Sequence, residues 1–115
     1  MTDETSLKGL TDRQLLLCRR RLAAAVTRPE ATLPGALVHQ GRRCSSVGCR
    51  CRRGELHGPY GYLALYTGGR KRTLYVPAAL EAVVAEHVAV THVNETTLSE
   101  IAQINVELLR RRALG

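Results

Sequence analysis

The amino-acid sequence predicts an α+β fold: an N-terminal helix, a small antiparallel β-sheet, and a long C-terminal helix broken partway along. Three observations carry that expectation. Leu7, Leu10, Leu15, Leu17, Leu22 and Val26 recur among Lys, Arg and Gln at helical intervals. Two runs rich in Tyr, Leu and Thr, 60–66 and 72–76, flank Thr67-Gly68-Gly69-Arg70-Lys71, which reads as a basic, glycine-containing turn between strands. Helical spacing then resumes after Pro77 at Leu80, Val83, Val84, His87 and Val88.

At 115 residues the chain has room for one domain, spanning 1–115. Its parts are an N-terminal helix (6–27), a sheet with an inserted knuckle (35–76) and C-terminal helices (77–113). A chain this short buries a modest fraction of its surface and is expected to need a staple.

Each element has its own local reason. Thr11 before Asp12 follows Gly9 and is a second capping candidate, so the first helix begins properly only at Asp12. Pro29 and Leu33-Pro34-Gly35 end it, and Ala36, Val38 and Gln40 then alternate with Leu37 and His39 as a short strand. Pro77 suits the first position of a helix. Asn94 and the threonines between Thr91 and Thr97 predict a break before Leu98, Ile101, Ile104, Leu108 and Leu109 resume a narrower apolar stripe.

The chemistry concentrates in the middle. Cys44-x4-Cys49-x-Cys51-x5-His57 supplies three thiols and an imidazole within fourteen residues, the ligand count and softness of a tetrahedral zinc site. Gly48 and Gly54 stand where tight turns around such a site need them. Arg42, Arg43, Arg50, Arg52 and Arg53 would lower the thiol pKa values and offset a three-thiolate centre. Incidental clustering and a redox pair are the competing readings. Iron–sulfur ligation ranks lower because the fourth ligand is histidine.

Four protein ligands leave no open coordination position, and only Glu55 is at hand as a base, so the zinc is read as structural. Cys18, mid-helix, is read as a free, half-buried thiol. His39, His87 and His92 lack a partner at ligand spacing and are assigned no role. Met1–Leu10 lacks the basic and apolar regions of a secretory signal, and no window approaches the roughly 18 apolar residues of a membrane span. The expectation is a cytoplasmic chain with reduced thiols and no membrane partner, which favours metal over disulfides.

Arg43-Cys44-Ser45-Ser46-Val47-Gly48-Cys49-Arg50-Cys51, continuing through Gly54, His57-Gly58-Pro59-Tyr60 and Tyr62-Leu63, resembles an uncharacterised family of small bacterial and archaeal proteins with a C-x4-C-x-C-x5-H-G-P-Y motif. The resemblance covers about residues 34 to 112. It implies the metal ligands named above, and members are often encoded near transposases and integrases. Two departures stand out: Ser45-Ser46-Val47 replaces the common Gly-Lys-Pro, and Gly61 stands where an aromatic usually precedes Tyr-Leu.

Charge bounds the function. Seventeen Lys and Arg against ten Asp and Glu give a formal net charge of +7 and a pI near 9.8, which suits an anionic partner, although the same balance also serves solubility. Eight of the seventeen cations, Arg42, Arg43, Arg50, Arg52, Arg53, Arg70, Lys71 and Arg72, fall in the hairpin and knuckle. They are the expected phosphate contacts of a zinc-stapled nucleic-acid-binding accessory protein of a mobile element, with DNA ahead of RNA. Tyr60, Tyr62 and Tyr66 share a strand face and are expected to be core, with base stacking as the alternative.

The competing function is an assembly adaptor or homodimer using the N-terminal helix and 98–109, in which Arg19–Arg21 and Arg110–Arg112 are solvated and the latter suits a helix C-terminus. No paired-carboxylate site, supported Ser-His-Asp set or phosphate-cradling glycine loop is present, so neither an enzyme nor a small-molecule substrate is expected.

Overall fold

The computed structural model describes residues 4–43, 48, 54 and 56–115. In chain order these form α1 (Glu4–Lys8), α2 (Asp12–Ala25), a 3₁₀ turn (Pro29–Ala31), β1 (Ala36–Arg42), β2 (His57–Thr67), β3 (Arg70–Val76), a second 3₁₀ turn (Ala78–Leu80) and α3 (Glu81–Arg110). The fold is α+β. The chain divides into a helical unit, 1–30 with 90–115, and a sheet unit, 31–89.

In the helical unit the expected helix over 6–27 is two helices. Gly9 and Leu10 turn the chain through bonds to the Ser6 and Leu7 carbonyls. Thr11 then opens α2 in extended geometry: its hydroxyl accepts from the Gln14 N–H at 3.1 Å, and the Thr11 N–H donates to Gln14 Oε1 at 2.9 Å. This capping box satisfies two N–H groups near the helix start. Leu15, Cys18 and Leu22 of α2 meet Ile104 and Leu108 of α3, with Leu7, Leu10 and Ala113 completing the cluster. The spacing of three or four residues on each helix puts these side chains on single faces.

The break expected in the last helix is absent. α3 runs through 91–97 without interruption. The hydroxyls of Thr96 and Thr97 donate back to the carbonyls of His92 and Val93, so they stay within the helix. Asn94 is engaged elsewhere: its side-chain amide donates to the Thr27 carbonyl at 2.7 Å and accepts from the Thr27 N–H at 3.3 Å. The helix ends in a Schellman arrangement, with Arg112 at φ 57 and bonds from Arg112 N–H to Leu109 O and from Ala113 N–H to Leu108 O.

Arg111 ties this end together. Its Nε donates to Glu107 at 2.8 Å, its Nη1 to the Leu10 carbonyl and Asp12, and its Nη2 to the Leu7 and Lys8 carbonyls. One guanidinium thus caps the C-terminal end of α1 and reaches the acidic first turn of α2. The hydrogen bond to Glu107, then that to Asp12, raise the Arg111 pKa above its ordinary value, so the charge persists across the working pH range.

The sheet unit is an antiparallel sheet of order β1-β2-β3. Gly68 and Gly69 both have positive φ, 58° and 78°, the signature of a two-residue type I′ hairpin turn. The turn is therefore shorter than the sequence suggests, and Arg70 and Lys71 belong to β3. Leu63 and Val76 face Val88 of α3, with Leu33, Leu37, Leu65 and Val84 packed around them. Pro77 caps the 3₁₀ turn instead of starting the α-helix. Gly35 enters β1 at φ 97°, where a Cβ would run into the carbonyl of Ala64.

Candidate nucleic-acid interface and metal centre

The charge of the chain is unevenly divided. The sheet unit holds eight Lys and Arg against three Asp and Glu, a formal +5, and the helical unit holds nine against seven, a formal +2. Arg42, Arg43, Arg70, Lys71 and Arg72 are all exposed. None of the five has an ion pair with a described residue. Arg50, Arg52 and Arg53 lie outside the described residues.

The five described cations do not form one cluster. Arg42 pairs with His57 at the start of β2, whereas Arg70, Lys71 and Arg72 pair with Thr67, Tyr66 and Leu65 at its other end. At the usual strand rise the ten-residue interval from His57 to Thr67 spans roughly 33 Å. The sheet thus has two basic poles.

Between the poles lies a face of tyrosines. Register and alternation put Tyr60, Tyr62, Ala64 and Tyr66 of β2 on one face, with Val38 and Gln40 of β1 and Lys71, Thr73 and Tyr75 of β3. The opposite face carries Leu37, Leu63, Leu65 and Val76, which pack against α3. The expectation that the tyrosines are core holds for Tyr62, 8% exposed, and fails for Tyr66, 74% exposed; Tyr60 is 37% exposed. Tyr75 at 58% joins them. Its ring meets Tyr62 edge-on with centroids 5.9 Å apart, and Tyr60 at 6.4 Å. The buried Tyr62 hydroxyl has no hydrogen-bond partner among the described residues.

At the pole near His57, β1 and β2 slip register between Gln40 and Arg42. Gly58 has φ 102°, and a Cβ there would crowd the Tyr60 N–H at 2.7 Å, which accounts for glycine in the His57-Gly58-Pro59-Tyr60 block. The Gly58-Pro59 peptide bond is cis. His57 begins β2 and is exposed. Of the expected zinc ligands it is the one described. Cys44, Cys49 and Cys51 lie outside the described residues, and no group of three or more His, Cys, Asp or Glu is arranged for a metal among those described. The β1–β2 pairing of Arg42 with His57 nonetheless brackets the whole segment that contains the three cysteines.

His39, assigned no role from sequence, makes a 2.7 Å contact from its Nε2 to Glu81 at the start of α3. Gly61 is its partner in the β1–β2 register. A Cβ at Gly61 would collide with the Glu81 carboxylate. Gly61 therefore makes room for this strand-to-helix contact. Sequence reading missed Glu81 and Tyr75. Tyr75 was recoverable from its alternation with Thr73 and Lys71, while the Glu81 contact crosses 42 residues and has no local signal.

Fold and composition together define a small basic α+β protein, with +5 of its formal +7 in residues 31–89. Residues 14–86 match the model of the domain of unknown function DUF6788. The chain belongs to this uncharacterised family, and the match runs through most of α2, the whole sheet and the start of α3. No curated protein and no solved structure matches it. No described helix is long and apolar enough to cross a membrane.

Proposed function

We propose that this protein is a non-enzymatic nucleic-acid-binding module, with DNA ahead of RNA, whose basic loop is stapled by a structural zinc ion. The observation that carries the reading is the set of exposed cations in the sheet unit, Arg42, Arg43, Arg70, Lys71 and Arg72, with no ion pair among the described residues. A cation retained for stability commonly has a carboxylate or helix terminus beside it, as Arg111 does. Lys8, Arg13, Arg20, Arg21 and Arg112 of the helical unit are likewise exposed without an ion pair among the described residues, so it is the larger formal charge of the sheet unit, +5 against +2, that favours its cations as phosphate contacts. Cys44, Cys49, Cys51 and His57 would hold the zinc, whose donor set suits a closed tetrahedral site, and Arg50, Arg52 and Arg53 would extend the pole beside it. The resemblance of its motif to proteins encoded near transposases and integrases points to service as an accessory of a mobile element.

Metal content and a salt titration of binding test this reading. One zinc per chain on protein purified without added metal is expected, with Cys49→Ser losing it. Five or more phosphate contacts give a log–log salt slope of about −4 or steeper on duplex DNA. A chain free of metal removes the staple, and absence of binding at low salt removes the nucleic acid.

A second reading has its own observation. Leu98, Val106 and Leu109 of α3 are each about half exposed or more, which favours an adaptor that packs this helix against a second copy or another protein. A helix interface of that kind is insensitive to salt, and phosphate contacts are not.

A further inference from the structure

We propose that the tyrosine face of the sheet is a stacking platform for unpaired bases, so that the ligand is a single strand of nucleic acid laid along β2; this rests on the nucleic-acid reading above. Three observations converge on it. The exposed rings, Tyr60, Tyr75 and Tyr66, follow one another along a face bounded by Arg42 at one end and Lys71 at the other. Phosphates of one strand can therefore be met at both poles while its bases cross the rings between them.

Among the described residues the face also carries no acidic side chain. The buried Tyr62 with Ala36, Val38, Gln40, Ala64, Thr73 and Lys71 makes up the rest of it, so the charges on and beside it, Lys71 and Arg42, are positive. That field suits a polyanion and gives a basic or zwitterionic peptide no ion pair.

Finally, Tyr75 is held edge-on by Tyr60 and by the buried Tyr62. Packing on both sides restricts its rotation before any ligand arrives, which lowers the ordering cost of stacking a base on it. A duplex keeps its bases paired and stacked on one another and offers nothing to such rings, whereas splayed single strands stack two or three bases on an aromatic sheet face of this kind.

The test uses the 115-residue chain as purified without added metal, with anisotropy of a labelled oligothymidylate and of a labelled duplex of equal length at matched salt. Tyr66→Ala and Tyr75→Ala are compared with Tyr66→Phe and Tyr75→Phe, and circular dichroism checks that all four fold. The single strand is expected to bind more tightly than the duplex. Each alanine should weaken single-strand binding about ten-fold or more while leaving duplex binding and the salt slope unchanged, and each phenylalanine should bind as the parent does. Unchanged single-strand binding in both alanine variants, equal loss with phenylalanine, or preference for the duplex each overturns the platform. A duplex bound with a steep salt slope and no response to the tyrosines would leave the proposed function standing without it. No binding of either ligand at low salt would remove both.

Discussion

The helical unit ties several of its polar side chains to one another more extensively than the sheet unit does, although its Lys8, Arg13, Arg20, Arg21 and Arg112 are also exposed and have no ion pair among the described residues. In the first, Arg19 donates to Asn105, Arg111 donates to two carboxylates and three carbonyls, and Asn94 is matched to both the N–H and the C=O of Thr27. In the second, five arginines and lysines and three tyrosine rings stand open to solvent. Hydrogen-bonded groups such as Arg111 and Asn94 contribute to the fold. The open cations add little to stability, because exposed charges are well solvated and screened. Under the proposed function, binding falls to the sheet unit, whose formal +5 exceeds the +2 of the helical unit.

Core truncation in the helical unit should have the largest effect. Leu108 is fully buried against Leu7, Leu15 and Ile104, and Leu108→Ala is expected to cost about 3 kcal/mol in urea denaturation. A loss under 1 kcal/mol would mean that this cluster is not the core that the contrast requires. Next is the entry to the sheet. Gly35→Ala meets the Ala64 carbonyl at a backbone angle that alanine rarely adopts, and should cost about 2 kcal/mol.

The sequence exposed some of this contrast and concealed the rest. Helices, sheet and hairpin were legible because each is written in local periodicity: Leu15, Cys18 and Leu22 three and four apart in α2, tyrosines alternating in β2, glycines at the turn. The split between α1 and α2 was half visible in the Gly9 to Asp12 step. The unbroken α3 was not, because Asn94 and the threonines carry poor helix propensity and only their partners, Thr27 and the carbonyls one turn back, show how it is offset.

The cations were legible as a set and illegible as an arrangement. Eight basic residues in one third of the sequence suggest one patch, yet antiparallel pairing sends Arg42 and Arg70 to opposite ends of β2. Tyrosine exposure was hidden for the same reason, since alternation tells which residues share a face and not which face the helix covers.

Smaller effects sharpen the comparison. Thr11→Ala removes the capping box of α2 and should cost about 1 kcal/mol, visible as a lower thermal midpoint. Tyr62→Phe should reverse the sign: its buried hydroxyl has no described partner, so its deletion is expected to raise stability by up to about 1 kcal/mol. A loss of similar size would reveal a partner for that hydroxyl and bring Tyr62 into the polar network of the sheet.

The most direct measurement is the salt dependence of nucleic-acid binding for the parent chain and for the combined variant Arg70→Gln, Lys71→Gln, Arg72→Gln. The three side chains are exposed and have no ion pair among the described residues, so the variant should fold with unchanged stability. If these cations meet phosphates, the log–log salt slope becomes shallower by between about two and three and affinity at low salt falls accordingly. An unchanged slope and affinity would contradict the central claim that the sheet unit leaves its cations unpaired in order to bind nucleic acid.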